Sequence, residues 1–253
     1  MRVLILGGTT EASALARLLA GDARFEATLS LAGRTSAPRA QPITTRVGGF
    51  GGIEGLAAFL REREIDAAID ATHPYAAQIS TNAVAACAAA NVPLASLVRA
   101  AWQRQADDHW QEVGSTRDAA ERLGGTPRRV FLSLGRQDLH LFAAAPQHHY
   151  IARLIETPQQ TELPPHLVLV RQRGPFDIAV ERKLLVDERI DVVVSKNSGG
   201  DATYAKIEAA RALALPVVMI SRPDKPAGHV LTSAEAAVDW LAHERVSASR
   251  RGV

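Results

Sequence analysis

Cysteine is nearly absent from this chain. Cys87 stands alone among 253 residues, which excludes an intrachain disulfide and a cysteine-built zinc or iron–sulfur cluster. Its Ala-Ala-Cys-Ala-Ala setting reads as a small buried helix position rather than a catalytic thiol, and no metal site is expected. No run of 18 apolar residues occurs, so no membrane span is expected. Met1-Arg2 leads straight into an apolar strand with no room for a signal peptide, and the expectation is a cytoplasmic protein. Blocks of like charge are missing as well. With a formal charge of +2 and an isoelectric point near 8.9, nothing suggests a nucleic-acid tail. Lysine is scarce: Lys183, Lys196, Lys206 and Lys225 leave 25 of the 29 basic residues to arginine. Arginine is the better fork for carboxylates and phosphates, besides its ordinary use on a solvated surface.

What is present is ordinary globular composition, 47% hydrophobic and 22% charged. Apolar runs alternate with amphipathic segments. Strand 3–6 runs into Gly7-Gly8, a helix follows to about residue 20 with Ala12, Leu15, Ala16 and Leu19 inward, and strand 27–31 ends at Gly33-Arg34-Thr35. A Pro- and Gly-rich connection then reaches Val47-Gly48-Gly49, followed by helix 53–63, strand 67–70, helix 75–90 and strand 94–98. Beyond Trp102 the pattern loosens and a domain boundary is placed there. The second half reads helix 116–123, strand 129–133, helix 138–144, strands 149–154 and 167–170, helix 177–187, strand 191–194, helix 201–214, strand 216–220 and helix 233–243. Continuous apolar strands between helices indicate an α/β fold of two Rossmann-like lobes, 1–102 and 103–246, each a mostly parallel sheet flanked by helices.

A weak internal repeat supports two lobes. Ile65–Asp70, His73-Pro74, an Ala-rich helix and Val92-Pro93-Leu94 run parallel to Ile190–Ser195, Asn197-Ser198, another Ala-rich helix and Leu215-Pro216-Val217, offset by 125 residues at the strand and 123 at the prolines. Ligands of open parallel sheets bind at the carboxyl ends of the strands, so the loops there are the candidate sites, facing a common cleft.

The first such loop, Gly7-Gly8-Thr9-Thr10-Glu11-Ala12, delivers a strand into a helix whose unpaired N–H groups and dipole favour an anion. Gly7 allows the tight turn, and Ala12 is small enough for the helix to pack on the strand. Thr9 replaces the central glycine of the dinucleotide fingerprint; its hydroxyl is open either to a phosphate or to capping the helix. No acid follows the second strand to bind ribose hydroxyls. Arg34, between Gly33 and Thr35, instead favours the 2′-phosphate of NADPH. Gly49, within Gly48–Gly52, permits close backbone approach to a cofactor or is simply part of a flexible connection. Thr72-His73-Pro74 could contact the nicotinamide ribose, or His73 could cap the helix that Pro74 starts. In the second lobe, Gly135-Arg136, Arg153, Arg171–Phe176 and Lys196-Asn197-Ser198-Gly199-Gly200 all end strands, and they point to a substrate with several carboxylates. The last of these offers an anion nest, or a capping loop in which only Ser198 or Asp201 matters.

Taken in order, Ile5–Ala12, Asp70-Ala71-Thr72-His73-Pro74-Tyr75-Ala76 and Lys196–Gly200 closely resemble the precorrin-6A reductase family of cobalamin biosynthesis, over nearly the whole chain. The resemblance implies NADPH-dependent reduction of the C18=C19 double bond of precorrin-6A to precorrin-6B, with a polycarboxylate tetrapyrrole as substrate and transient contacts with neighbouring pathway enzymes. It carries Gly7, Thr9, Thr10 and Arg34 to the cofactor, the Thr72–Pro74 loop to the nicotinamide side and Lys196–Gly200 to the substrate. His73 is a candidate proton donor beside water or a substrate carboxylic acid. Reduction of the cobalt-containing equivalent is the alternative within the family. A nucleotide- or tetrapyrrole-binding protein without turnover is the alternative outside it. A short-chain carbonyl reductase is disfavoured because Tyr75, Tyr150 and Tyr204 lack a lysine four residues on, and no P-loop occurs.

Overall fold

A computed structural model describes residues 1–33, 39–155, 163–172 and 174–251, with side chains as far as Val246. The chain divides into two units: Met1–Ala100 together with the chain from Pro223 onward, and Ala101–Arg222.

Unit 1 is built on β1 (Arg2–Leu6), β2 (Glu26–Leu31), β3 (Thr44–Val47), β4 (Ala67–Asp70) and β5 (Leu94–Leu97), with helices α1 (Thr10–Leu19), α2 (Gly52–Glu62) and α3 (Ala77–Ala90). Unit 2 contains β6 (Trp110–Val113), α4 (Thr116–Arg122), β7 (Arg129–Ser133), β8 (His149–Leu154), β9 (Leu167–Arg171), α5 (Ile178–Asp187), β10 (Val192–Lys196), α6 (Ala205–Ala212) and β11 (Val217–Ile220). The chain ends in β12 (His229–Leu231) and α7 (Ala234–Arg251).

The two sheets run β12-β5-β4-β1-β2-β3 and β6-β11-β10-β7-β8-β9, and every pairing in both is parallel. Each order reverses beside its central strand, between β1 and β4 in one sheet and β7 and β10 in the other. Strands β4 and β10, matched by the sequence repeat, therefore hold the same place in their sheets.

Period-two alternation explains the layering of unit 1. Val3 and Ile5 of β1 join Leu15 and Leu19 of α1 on one face, while Leu4 and Leu6 meet Leu56 and Leu60 of α2 and Ala83, Ala86 and Cys87 of α3 on the other. Burial pushes the Cys87 thiol up to about 11, so it remains protonated, as its alanine-rich setting suggests.

Unit 1 differs from the expected first domain at its end. The chain from Pro223 onward returns to it, because Leu231, Ala234, Ala237 and Leu241 complete the apolar face begun by Val3 and Ile5. The second domain read from the sequence as 103–246 accordingly stops at Arg222. Two short edge strands, β3 and β12, fall where connections were expected. Segment 138–144 lies in a 3₁₀ stretch, Arg136–Ala144, rather than an α-helix, and 201–214 divides into a 3₁₀ turn, Asp201–Thr203, and α6.

Leu241 is fully buried in the face that α7 covers. Leu241→Ala is expected to cost about 2–5 kcal/mol in urea unfolding; a loss below about 0.5 kcal/mol would separate α7 from the core.

Candidate cofactor cleft and anion loops

At the carboxyl edge of unit 1, four strand ends converge. Gly7 and Gly8 after β1, Gly33 after β2, Gly48–Gly52 after β3, and Thr72 and His73 after β4 line one cleft of about 540 Å³, together with Phe50 and Tyr75. Gly7 is there for contact rather than for dihedral freedom, since a Cβ would lie 2.5 Å from Leu29 Cδ1 and 3.4 Å from Ala12 Cβ. Gly8, at φ 123°, needs the conformational freedom.

Thr9 caps α1: its hydroxyl accepts from the Ala12 N–H at 3.1 Å and donates to the Ala71 carbonyl at 2.8 Å. Those two bonds pin α1 to the end of β4 and decide in favour of the capping role. The N–H groups of Gly8, Thr9, Thr10 and Glu11 have no partner among the described residues, leaving a cluster of donors at the positive end of the helix. The Glu11 carboxylate would oppose an anion there, but it pairs with Arg99 at 3.1 Å and accepts from the Thr10 hydroxyl.

Asp70 closes the other side of the strand reversal. It is 2% exposed, and it accepts from the Thr72 N–H at 3.0 Å, the Thr72 and Ser80 hydroxyls at 2.5 Å each, and Lys225 Nζ at 3.4 Å. This network fixes the Thr72 loop. His73 Nδ1 accepts the Tyr75 N–H at 3.3 Å, and the His73 carbonyl takes the Ala76 N–H at 2.8 Å. The ring thus closes a turn ahead of α3 rather than capping the helix itself. Pro74 sits inside that turn and does not line the cleft.

The expected cofactor residues Gly7, Gly8, Gly33, Gly49, Thr72 and His73 therefore come together. Thr9, Thr10 and Glu11, the N-cap and first residues of α1, are not among the residues lining the cleft. Arg34 and Thr35 lie outside the described residues.

In unit 2 the loop after β10 meets the loop after β7. Lys196 Nζ reaches Asp138 at 2.7 Å, three residues beyond Gly135, with Arg136 between them in sequence. The Asn197 side chain is joined to the Trp102 backbone: it accepts from the Trp102 N–H at 2.8 Å and donates to the Trp102 carbonyl at 3.0 Å. Arg222 holds the Asn197 and Ser198 carbonyls at 2.9 and 3.0 Å, and the Trp102 indole N–H holds that of Gly200 at 2.8 Å. With three carbonyls tied back, Gly199 and Gly200, at φ 70° and 68°, keep N–H groups without partners among the described residues. That is an anion nest in outline. Arg153 is a correction: it is buried against Glu181 and stacks 3.6 Å from the Phe176 ring, which removes it from the cations open to a substrate. Arg173 lies outside the described residues.

Sequence reading named Asp70 only as the start of its loop, and it missed the Ser80 and Lys225 partners that the carboxylate gathers. Lys225 could not be paired with Asp70 across 155 positions without the return of the chain to unit 1.

Fold and site define a Rossmann-like α/β protein built twice over, with a glycine-lined cleft in unit 1. A family profile described as Precorrin-6x reductase CbiJ/CobK matches residues 2–242, and the chain belongs to that oxidoreductase family. A precorrin-6A reductase from Rhodobacter capsulatus is 49% identical over 252 residues, covering 100% of this chain and 99% of its own. A solved structure named CobK precorrin-6A reductase superposes with a TM-score of 0.91 at 50% identity, covering 96% of this chain and 97% of that one. A cobalt-precorrin-6A reductase from Priestia megaterium is 29% identical over 255 residues, covering 96% of this chain and 98% of its own.

Removing the Asp70 carboxylate strands a Lys225 ammonium that is only 16% exposed, together with two hydroxyls. Asp70→Ala is expected to cost about 3–5 kcal/mol, and Lys225→Met in the same chain to recover part of it. Additive losses in the double-variant cycle would remove the pair from the site's support.

Proposed function

We propose that this chain is an NADPH-dependent precorrin-6A reductase, acting on the C18=C19 double bond to give precorrin-6B. The observation that carries the reading is the unit 1 cleft, in a chain whose family is precorrin-6x reductase: N–H groups from Gly8 to Glu11, without partners among the described residues, stand beside a Gly7 that admits no side chain.

A dinucleotide fits that cleft by its donor set. The helix N-terminus suits a pyrophosphate, and the glycine loops after β2 and β3 let backbone approach an adenosine. Arg34, next to Gly33, is assigned to the 2′-phosphate. When bound, NADPH supplies the hydride that C19 receives.

The protein's own part is binding, orientation and exclusion of water. Thr9 and Asp70 hold the loops on the two sides of the strand reversal. Unit 2 is assigned the carboxylates of the tetrapyrrole: Lys196 and the Gly199–Gly200 nest are its donors, with Gly135 and Arg136 beside Asp138. Asn197 and Ser198 serve by holding the shape of the nest. The metal-free precorrin is preferred over the cobalt form because identity to the relative named for the metal-free substrate is 49%, against 29% for the cobalt relative.

His73 is poorly set to give the proton that C18 takes up. An imidazolium carries hydrogen on both ring nitrogens, yet Nδ1 here accepts the Tyr75 N–H. Protonation would break that bond. His73→Ala is accordingly expected to keep kcat within about tenfold of the parent; a loss of about 10²-fold or more would return the acid role to His73.

The decisive assay follows absorbance as purified protein meets precorrin-6A with NADPH or NADH. Turnover with a preference for NADPH is expected, and Arg34→Ala should abolish the preference through KM for NADPH. Saturable tetrapyrrole binding without oxidation of either nucleotide would make the chain a binding protein, and an unchanged preference would detach Arg34 from the 2′-phosphate.

A further inference from the structure

The glycine loop after β3 has no side chains of its own to fix it, apart from Phe50. Its shape is set from beneath by Arg46. One Arg46 Nη donates to the Ser30 hydroxyl at 2.7 Å and the Gly48 carbonyl at 3.1 Å; the other donates to the Gly49 carbonyl at 3.0 Å. The guanidinium lies 4.0 Å from the Phe50 ring centroid and 5.2 Å from that of Phe59, so two aromatic rings fix the fork. The Phe50 carbonyl is directed at α2, where a Cβ on Gly55 would stand 1.7 Å from it.

In a planar trans peptide, the C=O of one residue and the N–H of the next point in opposite directions. Drawing the Gly48 and Gly49 carbonyls down to Arg46 therefore turns the Gly49 and Phe50 N–H groups away from it. Neither N–H has a partner among the described residues, and Gly48, Gly49 and Phe50 all line the cleft, while Arg46 itself does not.

We infer that Arg46 is a positioning residue for the adenosine half of the dinucleotide, presenting the Gly49 and Phe50 N–H groups as a pair of fixed donors to its acceptor atoms. The inference rests on the NADPH reading above and adds to it the residue that shapes the loop. Lysine can serve only part of this role, because an ammonium is a point charge where the guanidinium spans two carbonyls and a hydroxyl in one plane.

The test compares the parent, Arg46→Gln and Arg46→Lys in binding NADPH, adenosine 2′,5′-bisphosphate and reduced nicotinamide mononucleotide, with circular dichroism as the check on folding. Arg46→Gln is expected to weaken NADPH and the bisphosphate about tenfold, or about 1.4 kcal/mol, and Arg46→Lys less. Binding of the mononucleotide should stay within about twofold and kcat at saturating NADPH within about threefold, because the binding lost at the remote half is equal in the ground and transition states. An unchanged bisphosphate affinity, or equal losses for both fragments, overturns the inference. Should the parent bind neither NADPH nor the bisphosphate, the cofactor reading itself fails, a result visible before any variant is made. If Arg46→Gln does not fold, amide resonances in the parent decide: those of Gly49 and Phe50 are expected to move on titration with the bisphosphate, and fixed resonances overturn the assignment.

Discussion

Parallel pairing of β1 with both β2 and β4 is the constraint on which the cleft depends. Parallel strands deliver all their carboxyl-terminal loops to one edge, and a central strand with neighbours on both sides forces the following connections to diverge. Leu6 stands level with Ser30 of β2 and with Asp70 of β4, so the Gly7 turn and the Thr72 loop start at the same height. Thr9 then closes the gap, since one hydroxyl both caps α1 and holds the Ala71 carbonyl. Glycine at position 7 leaves room for this arrangement, since a Cβ there would run into Leu29 of β2.

The same geometry recurs in unit 2, with different chemistry placed on it. Ser195 of β10 takes the position of Asp70 of β4: each is buried, and each lies level with the end of the strand beside it, Ser133 in one case and Leu6 in the other. Asp70 gathers hydroxyls and an ammonium that shape a loop beside the cleft. Ser195 satisfies itself on the Lys196 carbonyl, and the work of shaping passes to Asn197, Arg222 and Trp102. A shared scaffold thus supports two loops that are rigid for different reasons, which agrees with sites being grafted onto folds rather than fixed by them.

Much of this was legible in the sequence. The continuous apolar strands, the glycine turn and the 125-residue repeat identify two parallel sheets and the loops at their ends, because burial on both faces leaves a strong local signature. What escaped is non-local or weakly patterned. Strand β3 reads Thr-Thr-Arg-Val at a partly exposed edge, and β12 has only three residues, so neither carries an apolar run. The return of the chain to unit 1 leaves no local mark, and with it the Asp70–Lys225 contact was invisible. Arg153 misled for the opposite reason. A cation at the end of a strand looks the same in sequence whether it meets a ligand or, as here, a buried glutamate and an aromatic ring.

Arg46 shows why counting cations does not by itself say which of them a ligand would meet. What holds its guanidinium in place is the Ser30 hydroxyl, the Gly48 and Gly49 carbonyls and two aromatic rings. A charged side chain reaching into the cleft would have to be desolvated with each ligand and would keep several rotamers open. A guanidinium locked beneath the loop by two carbonyls, a hydroxyl and two aromatic rings has already met those costs in the folded state. Its charge then acts through the peptide dipoles it orients, and the donors offered at the surface are backbone N–H groups with little freedom left to lose. The loop then runs directly into α2, and its glycines at φ 127°, 81° and 93° adopt backbone that other residues rarely reach.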